Sequence, residues 1–250
     1  MGGAAPRGKR FRVAPIGPGT PAGAHSQQSQ ENAARTRIFL RPLATPLPLG
    51  FLGLFFATVI VAGLQLGWVP ASQGRILAIG ILVLTVPVQF IACIYGFLVR
   101  DLVAGTAMGL IGGTWATTAI VLLVSRPGST SSGFAFLLVV SATALCIPCA
   151  AAGATKRLAA VVVLGTAARF AVTAVYEWGA PHVWETAAGG VGIALGVVAL
   201  YAALAFELED QKRHTVLPVW RLGAGKVAMT GDLEAQVAQV QNEAGVRAHL

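Results

Sequence analysis

Six uninterrupted apolar runs leave this chain few options: Leu49–Trp68, Ile76–Val99, Leu102–Val124, Gly133–Ala152, Leu158–Tyr176 and Thr186–Phe206. About 20 apolar residues in a helix cross the ~30 Å of hydrocarbon in a bilayer, and each run has about that length. Inside lipid, every backbone N–H and C=O must be satisfied by the protein itself. Only helices and closed barrels meet that condition, and barrel strands alternate apolar with polar residues, which these runs do not. The sequence therefore predicts an all-α integral membrane protein, a bundle of six transmembrane helices with short loops. Charge content agrees. Only 11% of the 250 residues are charged and 55% are hydrophobic, whereas soluble domains carry roughly 25% charged residues.

The formal net charge is +8, and nearly all the basic residues lie outside the apolar runs. That distribution speaks for topology and lipid headgroups as the partners of this charge, and against nucleic acid. Arg7, Lys9, Arg10, Arg12, Arg35, Arg37 and Arg41 precede the first run. Arg100, Lys156 and Arg157 occupy the second and fourth loops, and Lys212, Arg213, Arg221, Lys226 and Arg247 follow the last run. The other side has Arg75 and Arg126, and a fifth loop with Glu177 and Glu185. The positive-inside rule then places both termini in the cytoplasm and makes the protein a multi-pass component of the cell membrane. Trp68, Trp178 and Trp184 fall where an outer aromatic belt belongs.

Three regions follow: residues 1–40, 41–210 and 211–250. The first is a basic segment rich in Gly, Pro, Ser and Gln that buries too little apolar surface to order itself. The second is the transmembrane domain, and the third a polar cytoplasmic tail. No apolar h-region occurs in the first 48 residues, so no cleaved signal peptide is expected. In the tail, Leu233, Val237, Val240 and Ala244 recur at helical spacing, which fits either a short amphipathic helix or a frayed segment. Gly105, Gly109 and Gly113 make two overlapping G-x-x-x-G steps in the third run; Gly63 with Gly67 and Gly192 with Gly196 repeat the spacing. Such steps let helices approach closely in lipid, and they also suit a narrow pore lined by backbone.

Three stretches carry a resemblance. Thr45-Pro-Leu-Pro-Leu-Gly-Phe-Leu-Gly-Leu54 resembles the N-P-A-P-L-G-L-x-G-F signature of the acetate uptake transporter family, the succinate–acetate permeases. From Gln89 to Trp115, the residues Gln89, Ala92, Phe97, Thr106, Ala107, Gly112 and Trp115 fall in register with a second family segment. Ala188-Gly-Gly190, Tyr201-Ala-Ala and Thr215-Val-Leu-Pro218 are similar to the family's last helix and its T-V-L-P ending. The matches run in order over about residues 41–220. The resemblance implies transport of acetate and related short carboxylates, succinate among them, proton-linked or channel-like, through one pore per protomer of a hexamer. It places Thr45, Pro46, Pro48, Gly50, Leu54, Gln89, Asp101, Thr106, Ile111 and Thr166 along the substrate pathway. Two family asparagines are here Thr45 and Asp101. The family's hydrophobic constriction of Phe, Tyr and Leu maps to Leu54, Ile111 and Thr166, so the gate is expected to be hydrophobic but less aromatic.

A carboxylate crossing lipid must find donors that replace its hydration shell, or else take up a proton. Pro46 and Pro48 suggest an irregular helix start with free N–H groups, though a plain start with Pro in the first turn reads as well. Arg169 is the one strongly charged residue deep in an apolar run, about 18 Å from one end and about 10 Å from the other at 1.5 Å per residue. It lies one turn after Thr166. Its readings are an anion-attracting group beside the gate, a side chain snorkelling outward, or a partner of Glu177. Cys146-Ile-Pro-Cys149 has redox spacing, but it sits mid-run with only Cys93 as company, and small core cysteines are the simpler reading. His25, His182, His214 and His249 show no metal-ligand spacing. No catalytic constellation, metal or cofactor is expected, and the chain is not read as an enzyme. The competing functions are a channel for another small solute, a thiol–disulfide oxidoreductase using Cys146 and Cys149, and a membrane scaffold that transports nothing.

Overall fold

A computed structural model describes residues 43–230. The expected unfolded segment at 1–40 and the helical pattern at Leu233–Ala244 lie outside the described residues. Six helices are long and apolar enough to cross a membrane: α1 (Leu47–Gln65), α2 (Ala71–Leu98), α3 (Leu102–Val124), α4 (Ser132–Gly153), α5 (Arg157–Glu177) and α6 (His182–Lys212). A short α7 (Gly223–Thr230) follows. The described residues form no named strand, only an isolated bridge between Lys156 and Arg221. Each long helix packs on its neighbours in sequence, and α6 closes back on α1, so the six make a ring. Within it α1 is the most buried helix and α2 the least. Large apolar side chains such as Ile76, Val83, Ile94, Ile120, Phe136, Ile147 and Val197 stand exposed, as lipid-facing positions require.

The helix limits follow from local chemistry. α1 starts at Leu47, with Pro46 just before it and Pro48 in its first turn, and Gly50 N–H donates to Pro46 O at 3.1 Å. This is a regular helix start, so the irregular start read from Pro46 and Pro48 is corrected: proline is well placed where N–H groups have no helical partner anyway. α3 is capped by Asp101, whose carboxylate accepts from Ala104 N–H at 3.1 Å, and α4 by Ser131. α2 is not the uniform run its sequence suggests. A wide π-type turn at Ile81–Thr85 comes just before Pro87, which lacks an N–H and crowds the preceding turn. At that turn, Thr85 Oγ1 donates to Gly53 O of α1 at 3.2 Å.

Glycine steps contribute unequally to packing. A Cβ on Gly96 would sit 2.5 Å from Gly105 N, where the α2–α3 turn doubles back. At Gly105 it would meet the Phe97 ring at 2.9 Å, and at Gly109 the Cys93 Sγ at 3.0 Å, whereas at Gly113 it would meet nothing within 4 Å. The close contact expected at Gly109 is there, but it faces a side chain. Gly189, Gly192 and Gly196 pack on Leu66, Ala62 and Val59 of α1 or its end. A Cβ on Gly63 would meet only Val69, at 3.8 Å, and one on Gly67 nothing within 4 Å; Gly67, at φ +70°, terminates a turn. Gly96→Ala should therefore cost about 1–3 kcal/mol or more and lower folded yield, because backbone cannot yield as a rotamer can. Gly113→Ala should be neutral. Size-exclusion yield and thermal midpoints of the two variants in detergent check the contrast.

The buried arginine and the candidate solute pathway

The ring interior is layered. At the end of the bundle near Asp101, Phe51 of α1 meets Phe206 of α6 with ring centroids 5.9 Å apart, and Arg221 lies over Phe206 at 5.8 Å. Leu54 and Ile111 follow, both fully buried in the same continuous core. Further along come Trp115 and Phe170, edge to face at 5.5 Å, and then Arg169. Aromatic rings thus flank the Leu54 and Ile111 level although neither of those positions is aromatic.

Arg169 is 1% exposed. One terminal nitrogen donates to Gln65 Oε1 at the end of α1, and the other to Thr173 Oγ1 one turn along α5. Among the described residues no carboxylate pairs with it, and its Nε–H has no partner. Two of its three sequence readings are corrected here. The side chain does not snorkel outward, and Glu177 instead accepts from Ser131 N–H at 2.9 Å, capping the approach to α4. Gly192 makes room for the guanidinium: a Cβ there would lie 2.7 Å from Arg169 Nε and 3.0 Å from Ala62 Cβ. Gly192 O also accepts from Thr58 Oγ1 at 3.3 Å, tying α6 to α1 at this level.

Gln89 is fully buried between α1 and α3. Its Nε2 donates to Gly50 O at 2.8 Å, and Gly53 and Gly112 give it space, while its Oε1 has no partner. Thr166 is fully buried, with its hydroxyl donating to Val162 O of its own helix at 2.8 Å. Pro46, Pro48 and Gly50 are buried at the start of α1, and Thr45 is half-buried just before them. Two expected pathway residues are corrected. Thr106 is exposed on the bundle surface, because its helical phase sets it opposite Ala107 and Ile111. Asp101 is committed to structure: it caps α3 and forms an ion pair with Lys156 from the α4–α5 loop.

The same end is covered by the chain after α6. Glu209, 2% exposed, accepts from Arg221 through both oxygens and from Thr215 Oγ1 at 2.8 Å. Tyr201 donates to Pro218 O at 3.1 Å, and Leu222 N–H donates to Thr155 O at 2.9 Å. The Thr215-Val-Leu-Pro218 stretch is thereby held against α6.

Cys146 and Cys149 are not joined in a disulfide, and their thiols donate to different carbonyls, Ala142 O and Ala160 O. They lie in the last third of α4. Among the described residues no three His, Cys, Asp or Glu side chains converge as metal ligands.

The bacterial acetate channel SatP is similar to this chain in structure, with a TM-score of 0.61 and 20% sequence identity over 71% of this chain and 99% of that one. The two share a fold. No family model matches the sequence, and no curated protein matches it. The sequence marked Arg169, and Gly192 only as part of a G-x-x-x-G step, but not Gln65 or Thr173 beside the guanidinium. Gln65 lies inside an apolar run and could have been flagged as a polar residue at membrane depth. Thr173 gave no signal, since Thr is ordinary in membrane helices.

Proposed function

We propose that this protein carries short monocarboxylates, acetate among them, across the membrane through the interior of its helix ring. The observation that carries this reading is Arg169, a fully buried guanidinium with no carboxylate partner among the described residues. Holding an unpaired cation in the low-dielectric interior costs several kcal/mol, and an entering anion relieves that cost. The shared fold with an acetate channel supports the same solute class. Leu54 and Ile111 form the apolar level that holds back water and hydrated ions, and Arg169 lowers the barrier for a carboxylate beyond it. Labelled acetate uptake into liposomes holding the purified protein tests this. Flux should exceed that of empty liposomes and be blocked by excess unlabelled acetate. Stimulation by an inward proton gradient indicates a proton-linked step, and equal flux in both directions a channel. No flux at any gradient would leave a scaffold as the reading.

Both termini are cytoplasmic in this proposal, from the Lys and Arg asymmetry. A tag at residue 250 should be unreachable from outside intact cells and become reachable on permeabilisation; labelling from outside would reverse the orientation. The protein assembles with copies of itself, and the sparsely covered α2 offers the apolar surface for that contact. Crosslinking in native membranes should yield a ladder whose top band is the hexamer.

A further inference from the structure

We propose that Gln65 is a specificity-determining residue: it fixes the Arg169 guanidinium through a neutral acceptor and so keeps the cation's charge available to a passing anion. This rests on the transport reading above and names the residue that leaves its central charge uncancelled. The guanidinium is held from three helices. Gln65, the last residue of α1, accepts from one terminal nitrogen through Oε1, and Thr173 of α5 accepts from the other through Oγ1. The Thr173 hydroxyl proton is already given to Arg169 O at 2.8 Å, so its oxygen is left to accept. On the third side lies Gly192 of α6, where a Cβ would come within 2.7 Å of Nε and 3.2 Å of Cζ. Gln65, Arg169 and Thr173 are all buried.

Direction and charge are separate properties of such contacts. Both acceptors orient the planar fork, yet neither carries charge, and no carboxylate among the described residues forms an ion pair with Arg169. Buried arginines are ordinarily paired with an acid. Glutamate has the length and shape of glutamine, so a carboxylate at position 65 would reach the same nitrogen and form a buried ion pair. The amide at 65 thus decides whether the ring interior holds a net positive charge or a neutral pair. A neutral pair would offer an anion no net attraction. A neutral solute would meet much the same interior in either case.

Two variants of the full chain provide the test: Gln65→Glu, which cancels the charge, and Gln65→Met, which keeps the size and the cation but removes the acceptor. Gln65→Glu should melt no lower than the parent in detergent, because a carboxylate answers the buried cation, yet its half-saturation for acetate flux in liposomes should rise about tenfold or more. Gln65→Met should melt lower, because a terminal nitrogen loses its acceptor, while its half-saturation stays within about threefold of the parent. Stability and affinity then move in opposite directions, which a purely structural Gln65 does not predict. At constant ionic strength, sodium acetate should raise the melting temperature of the parent and not that of Gln65→Glu, and acetamide, neutral and of similar size, should shift neither. Unchanged half-saturation in Gln65→Glu overturns the proposal and leaves carboxylate transport standing. A Gln65→Glu protein that does not fold overturns it too, since its carboxylate would not be meeting the guanidinium. An acetate-dependent shift that is lost in Gln65→Glu, in a protein with no flux, keeps the charge site and removes transport. A parent with neither flux nor shift removes both.

Discussion

Arg169→Gln should reduce acetate uptake by proteoliposomes about tenfold or more, with Arg169→Lys falling between it and the parent protein. The guanidinium is buried, bonded to Gln65 and Thr173, and meets no carboxylate among the described residues. A hydrogen bond to a charged partner is worth about 1.5–3 kcal/mol, which corresponds to roughly ten- to hundredfold in affinity. Glutamine keeps polar contacts and loses the charge. Lysine keeps the charge but loses the planar fork and the Nε–H, so it restores attraction without geometry. Flux of a neutral solute of similar size should be unchanged in both, because the cation offers it no advantage. A purely structural Arg169 predicts another pattern, with folded yield falling in both variants and uptake per folded molecule staying constant. Measuring acetate uptake and monodisperse yield side by side separates the two, and equal uptake affinity at equal yield would remove Arg169 from the pathway.

The second large effect is expected at the opposite end. Arg221→Ala should lower stability by about 3 kcal/mol, the usual result of leaving one member of a buried ion pair alone. Glu209 is 2% exposed and accepts from Arg221 through both oxygens, so the substitution strands a buried carboxylate with only the Thr215 hydroxyl as a partner. Loss of the pair also frees the segment that Leu222, Val219 and Trp220 anchor to the α4–α5 loop. Limited proteolysis should then cut near residues 213–222 in the variant and not in the parent. Glu209→Gln in the same background should recover much of the lost stability, because an uncharged amide costs far less to bury. If Arg221→Ala melted like the parent, the strap would carry no weight in the fold.

The Arg169 cluster and this strap mark where the sequence stops being legible. Six apolar runs set the class of fold by themselves, because lipid forces every backbone polar group into a helix and each run is about one bilayer long. The limits of α3 follow directly from its sequence, and α1, α4 and α5 fall within a few residues of their runs. The depth and sign of Arg169 were also visible, since charge inside an apolar run is conspicuous. Which way that side chain turns was not. Its phase on α5 admits snorkelling, a bridge to Glu177 or an inward position. Only the packing of α6 on α1, with Gly192 yielding space beside Ala62, decides for the interior. The same holds for Trp115, whose indole N–H is buried only because α1, α4 and α5 enclose it. Thr106 and Asp101 show the reverse: their place in a recognisable segment suggested the pathway, and helical phase and a lysine 55 residues away assigned them to surface and scaffold. A one-dimensional pattern records period and hydropathy, and these fix what spans the membrane. Contacts between helices distant in sequence fix what faces the solute, because satisfaction of a buried charge or donor depends on neighbours that no local pattern names.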